Sequence, residues 1–402
     1  MITFADIEQA RERIKEQIYL SPFPYSETIS RLTGSRVFFK LENLQMTGSF
    51  KERGALNRLL TLTSEEGQRG VIAASAGNHG MAVAFHSQRL GITATIVMPR
   101  HAPLIKVSSV RRYGAQALLS GEDYAAAFQE AQRIADERAL TYIHAFNHPM
   151  IIAGQGTIGL ELYAQQPELD AVLVPVGGGG LIAGIALALK TLKSSTRIIG
   201  VQAAALPSMK LSIEQNQIAR VPAAATIADG IAVRAPGDET FPMVKKFVDD
   251  IVTVSEGEIA NAVLMLLEIE KTVAEGAAAT ALAALVNGKV SFTGKNVGVL
   301  ISGGNIDMNL ITRIIENGLI QDGRLTRLSV VISDLPGSLA RLAQRIAALD
   351  ANILHINQTR GFGQTAIGET EVELTLETTG REHIEKICAG LRADGLKIKT
   401  ES

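Results

Sequence analysis

From the amino terminus to about residue 320, short apolar runs alternate with longer stretches in which apolar positions recur every three or four residues. The runs at 70–74, 94–98, 117–119, 171–175, 198–201 and 297–301 are rich in Val, Ile, Leu and Ala and too short for helices, so each predicts a buried strand. The stretches 103–113, 124–138 and 181–192 carry helical spacing. Alternation of this kind predicts an α/β architecture, a parallel sheet with helices on both faces. Ligands then gather beyond the carboxyl ends of the strands.

The pattern breaks at Gln321-Asp-Gly-Arg-Leu-Thr326, a polar linker. Beyond it the order is strand 327–333, turn 334–337, helix 338–349, strand 352–359, glycine-rich tip 360–368, strand 369–375, helix 381–393 and strand 396–400. That βαββαβ order predicts a ferredoxin-like domain at 327–402, separate from a first domain at 1–320.

Composition narrows the partners. With 39 basic and 41 acidic residues the net charge is −2, which gives no electrostatic case for nucleic acid or a membrane surface. The longest apolar stretches, 181–189 and 274–286, fall short of the ~20 residues that a spanning helix needs. The first residues show no basic-then-apolar block, so no signal peptide and a cytoplasmic location are expected. The single cysteine, Cys388, excludes an intramolecular disulfide and a cysteine-based zinc site.

Three predicted strands run directly into loops with little side chain to block a ligand: Ser75-Ala76-Gly77-Asn78-His79-Gly80, Val176-Gly177-Gly178-Gly179-Gly180-Leu181 and Ile301-Ser302-Gly303-Gly304-Asn305. Four glycines before the helix at 181–192 leave amides bare at a helix start, where a phosphate is stabilised. The stretch from Gly178 to Ala183 also fits a dinucleotide fingerprint. The acid expected at the end of the next strand is absent, because Gln202-Ala203-Ala204 stands there, and no Gly-Lys-Ser/Thr follows. A phosphate on a small cofactor remains. Lys51, in Thr47-Gly48-Ser49-Phe50-Lys51-Glu52-Arg53-Gly54, is placed as an amine at the start of a helix. A lysine amine plus a phosphate cradle points to pyridoxal 5'-phosphate, attached as a Schiff base.

These four segments, in this order over residues 1 to about 320, resemble those of the fold-type II pyridoxal-phosphate enzymes, and most closely the serine/threonine dehydratases. The resemblance implies two parallel-sheet α/β subdomains with the cofactor between them, the smaller, about 53–148, inserted in the larger. It implies that Lys51 bonds the cofactor and serves catalysis, Phe50 packs on the ring, and Asn78 meets the phenolic oxygen. Gly177, Gly178, Gly179 and Gly180 would hold the phosphate, and Ser302 would face the pyridine nitrogen. Ser75, Ala76, Gly77, Asn78 and His79 would take the substrate's carboxylate. A hydroxyl at Ser302 leaves that nitrogen largely unprotonated, so a carbanion at Cα is less delocalised and prompt loss of a β-substituent is favoured. The expected reaction is β-elimination from threonine, giving 2-oxobutyrate and ammonia, and from serine, giving pyruvate.

Some positions depart from relatives. Serine racemases of this family carry a second serine where this chain has Ala76, so racemisation is expected to be minor at most. Gln202 and Ser208 stand where a racemase-like divalent-cation loop would supply carboxylates, so no such metal site is expected, although backbone carbonyls can still hold a monovalent cation. A dehydratase for 3-hydroxyaspartate needs a cation for the second carboxylate, and Arg53 is the only arginine near Lys51 in the chain. His79 is expected to shape its loop, with His86, His144 and His148 ordinary. Glu275 stands open between a pocket-lining acid and a surface charge at a helix end.

The segment Asp334-Leu-Pro-Gly-Ser-Leu339 resembles the ligand loop of ACT domains. That resemblance implies an amino-acid effector, isoleucine or valine, held by Asp334, Gly337, Ser338 and Asn352, and a homo-oligomer, dimer or tetramer. A bare dimerisation module is the plainer alternative, and an amino-acid sensor without turnover is the alternative outside catalysis.

Overall fold

The computed structural model describes residues 1–359 and 366–401. Of the glycine-rich tip predicted at 360–368, residues 360–365 lie outside the described residues. Contacts divide the chain into two compact units, Met1–Ile306 and Asp307–Ser402.

In the first unit the apolar runs form two sheets. One has the spatial order Gln116–Leu119, Ala94–Met98, Val71–Ala74, Thr141–Tyr142, all parallel. The other runs Tyr25–Ser26, Arg36–Leu41, Asn296–Ile301, Ala171–Pro175, Arg197–Ala203, Asp250–Val254, parallel except for the first strand. Val71–Ala74, Ala94–Met98 and Ala171–Pro175 are buried along their whole length, the reason they read as unbroken apolar runs and not as alternating ones. In both sheets the strand order reverses. In the larger the chain winds outward from Ala171–Pro175 and then returns to its other side as Asn296–Ile301. In the smaller, Val71–Ala74 sits between Ala94–Met98 and Thr141–Tyr142. A crevice opens at such a reversal because the flanking loops diverge to opposite faces.

Helix Pro149–Gln165 packs on both Lys51–Leu60 and Gly180–Leu192, and glycines stand at both contacts. A Cβ at Gly154 would stand 2.6 Å from the carbonyl oxygen of Arg53, so only glycine lets the helix that begins at Lys51 lie so close. Beneath that helix lies a buried ion network. The Arg53 guanidinium donates Nε to Glu42 Oε2 at 2.8 Å, Nη2 to Glu42 Oε1 at 2.8 Å, and Nη1 to Glu161 Oε1 at 2.6 Å. Lys40 Nζ donates to Glu161 Oε2 at 2.6 Å and to the Ser21 carbonyl at 2.8 Å. Two cations face two carboxylates, so the cluster is neutral as a set and fully hydrogen-bonded where burial would otherwise be prohibitive.

The second unit follows the ferredoxin-like order. Its antiparallel sheet runs Asn352–Thr359, Glu369–Glu377, Leu325–Ser333, Lys397–Glu401, with helices Ser338–Ala347 and Arg381–Ala393. Here alternation replaces the continuous runs. Leu328, Val330, Ile332, Val372, Leu374 and Leu376 form one apolar face against Leu342, Ile346, Ile387 and Leu391. The strand begins at Leu325, inside the stretch read as linker, because Leu325 pairs with Glu377; ahead of it the helix Met308–Gln321 runs up to the start of that stretch.

Arg53→Met would leave two carboxylates buried without their main partner. Denaturant unfolding should show a loss of about 3–5 kcal/mol, the usual cost of breaking a buried ion cluster from one side.

Candidate active site

The loops at the two reversals line one cavity of about 740 Å³. Ser75 to His79 leave the strand Val71–Ala74, Gly177 to Gly180 leave Ala171–Pro175, and Ser302 leaves Asn296–Ile301. Phe50 and Lys51 enter from a different part of the chain, and a set of backbone bonds fixes them there. Phe50 N donates to the Ser302 carbonyl at 3.0 Å, and Gly304 N to the Gly48 carbonyl at 2.9 Å. Ser49 and Gly303 form an antiparallel bridge, and Asn305 Nδ2 donates to the Thr47 carbonyl at 2.7 Å. Segment 47–50 is thus stitched to 302–305, and the position of Lys51 relative to Ser302 follows mostly from main chain.

Lys51 is the first residue of its helix, and its Nζ donates to the carbonyl of Ala145 at 2.9 Å. The ammonium lies 5.0 Å from the centre of the Phe50 ring. Burial in the cavity wall lowers the amine to about 8, against an opposing pull from Glu275. A substantial share of the side chain is therefore neutral near physiological pH, which is the form that acts as nucleophile or base.

The glycine loop is held at backbone level. Gly179 has φ +97° and caps the helix Gly180–Leu192. A Cβ at Gly178 would fall 2.3 Å from the Phe146 ring, and one at Gly180 would fall 2.6 Å from the Phe146 carbonyl. Thr240 Oγ1 donates to the Gly178 carbonyl at 2.5 Å and pins the loop from the far side. Among the described residues, the amides of Gly177, Gly178, Gly179 and Gly180 donate to no other protein group. Bare donors at a helix start, with no side chain over them, fit a phosphate. Together with a depressed lysine amine in the same cavity, they fit pyridoxal phosphate.

Asn78 begins the helix Asn78–Leu90, and its Nδ2 donates to Glu275 Oε1 at 2.9 Å and Oε2 at 3.0 Å. Its Oδ1 accepts from Asn305 Nδ2 at 2.9 Å, so both ends of the amide are fixed. Glu275 is 4% exposed, and burial raises its carboxyl to about 7, with the Asn78 hydrogen bond opposing. His79 gives its Nε2 to the Ile143 carbonyl at 2.8 Å, and burial lowers its ring to about 3, so it is a neutral shaping residue. Ser75 Oγ accepts from Gly77 N at 3.1 Å, which closes the loop on itself. Ala76 lines the cavity with a methyl group, and Ser302 lines it with a hydroxyl, 2% exposed.

All the residues expected to meet cofactor or substrate therefore share one cavity. Sequence reading left Glu275 undecided and missed Asn305, Lys106, Asp229, Arg220 and Arg234; apart from Asn305 these also line the cavity. Arg53 is the only arginine close to Lys51 in the chain, which favoured a neutral substrate side chain, but it is not the only arginine the fold supplies near the site. Arg53 faces Glu42 and Glu161, whereas Arg220 and Arg234 arrive from a distant loop. Gln202 and Ser208 are engaged locally. Gln202 Oε1 accepts from Lys210 N at 2.9 Å, and Ser208 Oγ donates to the Val233 carbonyl at 2.7 Å. In the second unit, Asp334, Gly337 and Ser338 line a cavity of about 350 Å³. Asn352 is not brought to it. It lies at the far end of its strand, bonded to Glu377 at 3.2 Å, and Gln358 from the same strand lines the cavity instead.

Residues 14–303 match the family of pyridoxal-phosphate dependent enzymes, and 322–394 match the ACT domain. The chain is 46% identical over 399 residues to the L-threonine ammonia-lyase of Thermotoga maritima, covering 99% of each. Among solved structures it is similar to the processed form of threonine deaminase isoform 2 from Solanum lycopersicum, with 35% identity, TM-score 0.74, 78% of this chain and 86% of that one. It is also similar to serine racemase from Dictyostelium discoideum, with 35% identity, TM-score 0.71, 76% of this chain and 99% of that one. The chain belongs to the pyridoxal-phosphate dependent enzyme family and carries a carboxyl-terminal ACT domain. Among the described residues no helix is long and apolar enough to cross a membrane.

Gly178→Ala should drive a methyl group into the Phe146 ring, force the loop and the ring apart and weaken cofactor binding about tenfold or more, the scale of an overpacked site. A cofactor titration followed by absorbance reads it. Gly67→Ala, where a methyl group meets open space, should leave the affinity unchanged.

Proposed function

We propose that this member of the family is an L-threonine ammonia-lyase, converting L-threonine to 2-oxobutyrate and ammonia and L-serine to pyruvate and ammonia. One observation carries the reading: a lysine amine lowered to about 8 shares a cavity with four helix-start amides that have no protein partner. Pyridoxal phosphate supplies an electron sink for negative charge at Cα. The protein's part is placement and proton transfer. Gly177 to Gly180 would hold the phosphate, Phe50 and the loops would enclose the ring, and Asn78, its side chain oriented by Glu275 and Asn305, would stand at the phenolic oxygen. Ser302 presents a neutral hydroxyl to the pyridine nitrogen, which favours departure of the β-hydroxyl over a long-lived carbanion. The neutral amine of Lys51, once free, takes the Cα proton. The loop Ser75 to His79 receives the carboxylate.

The racemase reading is weaker because Ala76 has no proton to deliver to the opposite face of Cα. A sensor without turnover is disfavoured by the depressed amine of Lys51, which a binding protein does not need. In the second unit, the cavity at Asp334, Gly337 and Ser338 is the proposed effector site, with Gln358 rather than Asn352 as its strand contact. Its ligand is isoleucine or valine, acting in a cytoplasmic homo-oligomer. Gly337, at φ +85°, starts the helix Ser338–Ala347 with no side chain over the loop.

Lys51→Ala should abolish both the cofactor's visible absorbance and ketoacid production; retained activity would refute the assignment. In the wild-type apoprotein, cofactor addition should accelerate with pH up to about 8 and then level, since the neutral amine is the reactive form and its pKa lies there, not at 10.5. For the second unit, isoleucine or valine should change the threonine kinetics of the full chain, and Gly337→Val should remove that response while leaving the unregulated rate. Identical kinetics with and without either amino acid would leave the unit a structural role.

A further inference from the structure

On the reading above, the loop Ser75 to His79 receives a carboxylate; among the described residues the amides of Ala76, Asn78 and His79 stay available to it, whereas several other donors of the loop are committed. Gly77 N donates to Ser75 Oγ, Asn78 Nδ2 to Glu275, and His79 Nε2 to the Ile143 carbonyl. The loop contains no formal positive charge. A carboxylate leaving water needs one, or an unusually complete set of hydrogen bonds.

Lys106 stands over this loop. It belongs to the helix Leu104–Arg112, lines the cavity, and its Nζ would lie 4.0 Å from a Cβ placed on Gly77. The ammonium donates to Asp229 Oδ2 at 2.8 Å. Asp229 opens the short turn Asp229–Ile231, and a Cβ at the next residue, Gly230, would stand 3.2 Å from Glu275 Oε1. The pair therefore spans from the helix beside the smaller sheet to a turn packed on the cofactor-facing acid. The Lys106 side chain is 19% exposed and that of Asp229 58%, so the pair adds little to stability. Its location is what distinguishes it. An ammonium has three donors, and among the described residues Asp229 is its recorded partner, which leaves donors for an incoming anion.

We propose that Lys106 is a substrate-positioning residue, whose ammonium, steered over the Ser75–Gly77 loop by Asp229, pairs with the carboxylate of the amino-acid substrate. The proposal rests on the carboxylate reading of that loop. It makes Lys106 a cation that selects an α-amino acid, and it gives Asp229 the task of holding the side chain ready while the site is open.

Steady-state kinetics of the holoenzyme with threonine test it. Lys106→Met should raise KM about tenfold or more, as loss of a charge-assisted bond implies, with kcat changed far less and with wild-type cofactor absorbance and thermal midpoint. Lys106→Arg should recover most of the KM. The exchanged pair K106D/D229K keeps an ion pair across the same gap but moves the cation off the loop, so its KM should stay high. A wild-type KM in Lys106→Met, or a restored KM in the exchanged pair, would overturn the proposal. Failure of the underlying functional reading shows separately, as a wild-type protein that makes no ketoacid from threonine.

Discussion

Keeping a lysine amine out of water is the constraint on which the site depends. A buried ammonium loses its hydration, so the side chain gives up its proton more readily, and that same shift suits it to act as a base and a nucleophile near neutral pH. The protein must then hold the amine in the same cavity as the bare amides of the glycine loop, with little help from flexible side chains. It does so with main chain. The bonds from Phe50 to Ser302 and from Gly304 to Gly48, with the Ser49–Gly303 bridge, tie the approach to Lys51 to the strand end that carries Ser302. The close approach at Gly154 and the ion network of Arg53 then anchor the helix that Lys51 begins. The proposed chemistry follows from this placement, because neither a proton transfer nor a bond to a carbonyl carbon tolerates a loosely held amine.

Much of this was legible in the chain because parallel strands buried on both faces write themselves as unbroken Val/Ile/Leu/Ala runs, and loops that admit a ligand write themselves as glycine. Boundaries set by pairing were less legible. The strand Leu325–Ser333 begins within a polar stretch because Leu325 meets Glu377 across the ladder, a long-range fact that local composition does not carry. Glu275 could be read equally as a surface charge at a helix end. Only its packing beside Gly303 and its bonds to Asn78 make it a buried acid. Arg53 misled in the opposite direction, since two residues along a helix place a side chain on another face; it points into the ion network. Lys106, Asp229, Arg220 and Arg234 lie far from Lys51 in the chain and reach the cavity through tertiary folding alone.

The second unit obeys a different rule. Its strands bury one face, so they alternate, and its glycine at 337 opens a loop-to-helix turn rather than a strand-to-helix one. The same physical device, bare amides at the start of a helix, appears in both units, on the proposed reading once for a phosphate and once for the carboxylate of an effector. The difference lies in what surrounds it. The first has a reactive amine and a buried acid in reach, and the second has Asp334 and Gln358 in a cavity of about 350 Å³.

The most direct test of the central claim is to reduce the holoenzyme with borohydride, digest it, and locate the fixed cofactor by peptide mass. The account predicts a pyridoxyl-phosphate adduct on the peptide containing Lys51, and a smaller share of it in protein reduced during turnover at saturating threonine. An adduct on any other lysine, or no adduct at all, would contradict it.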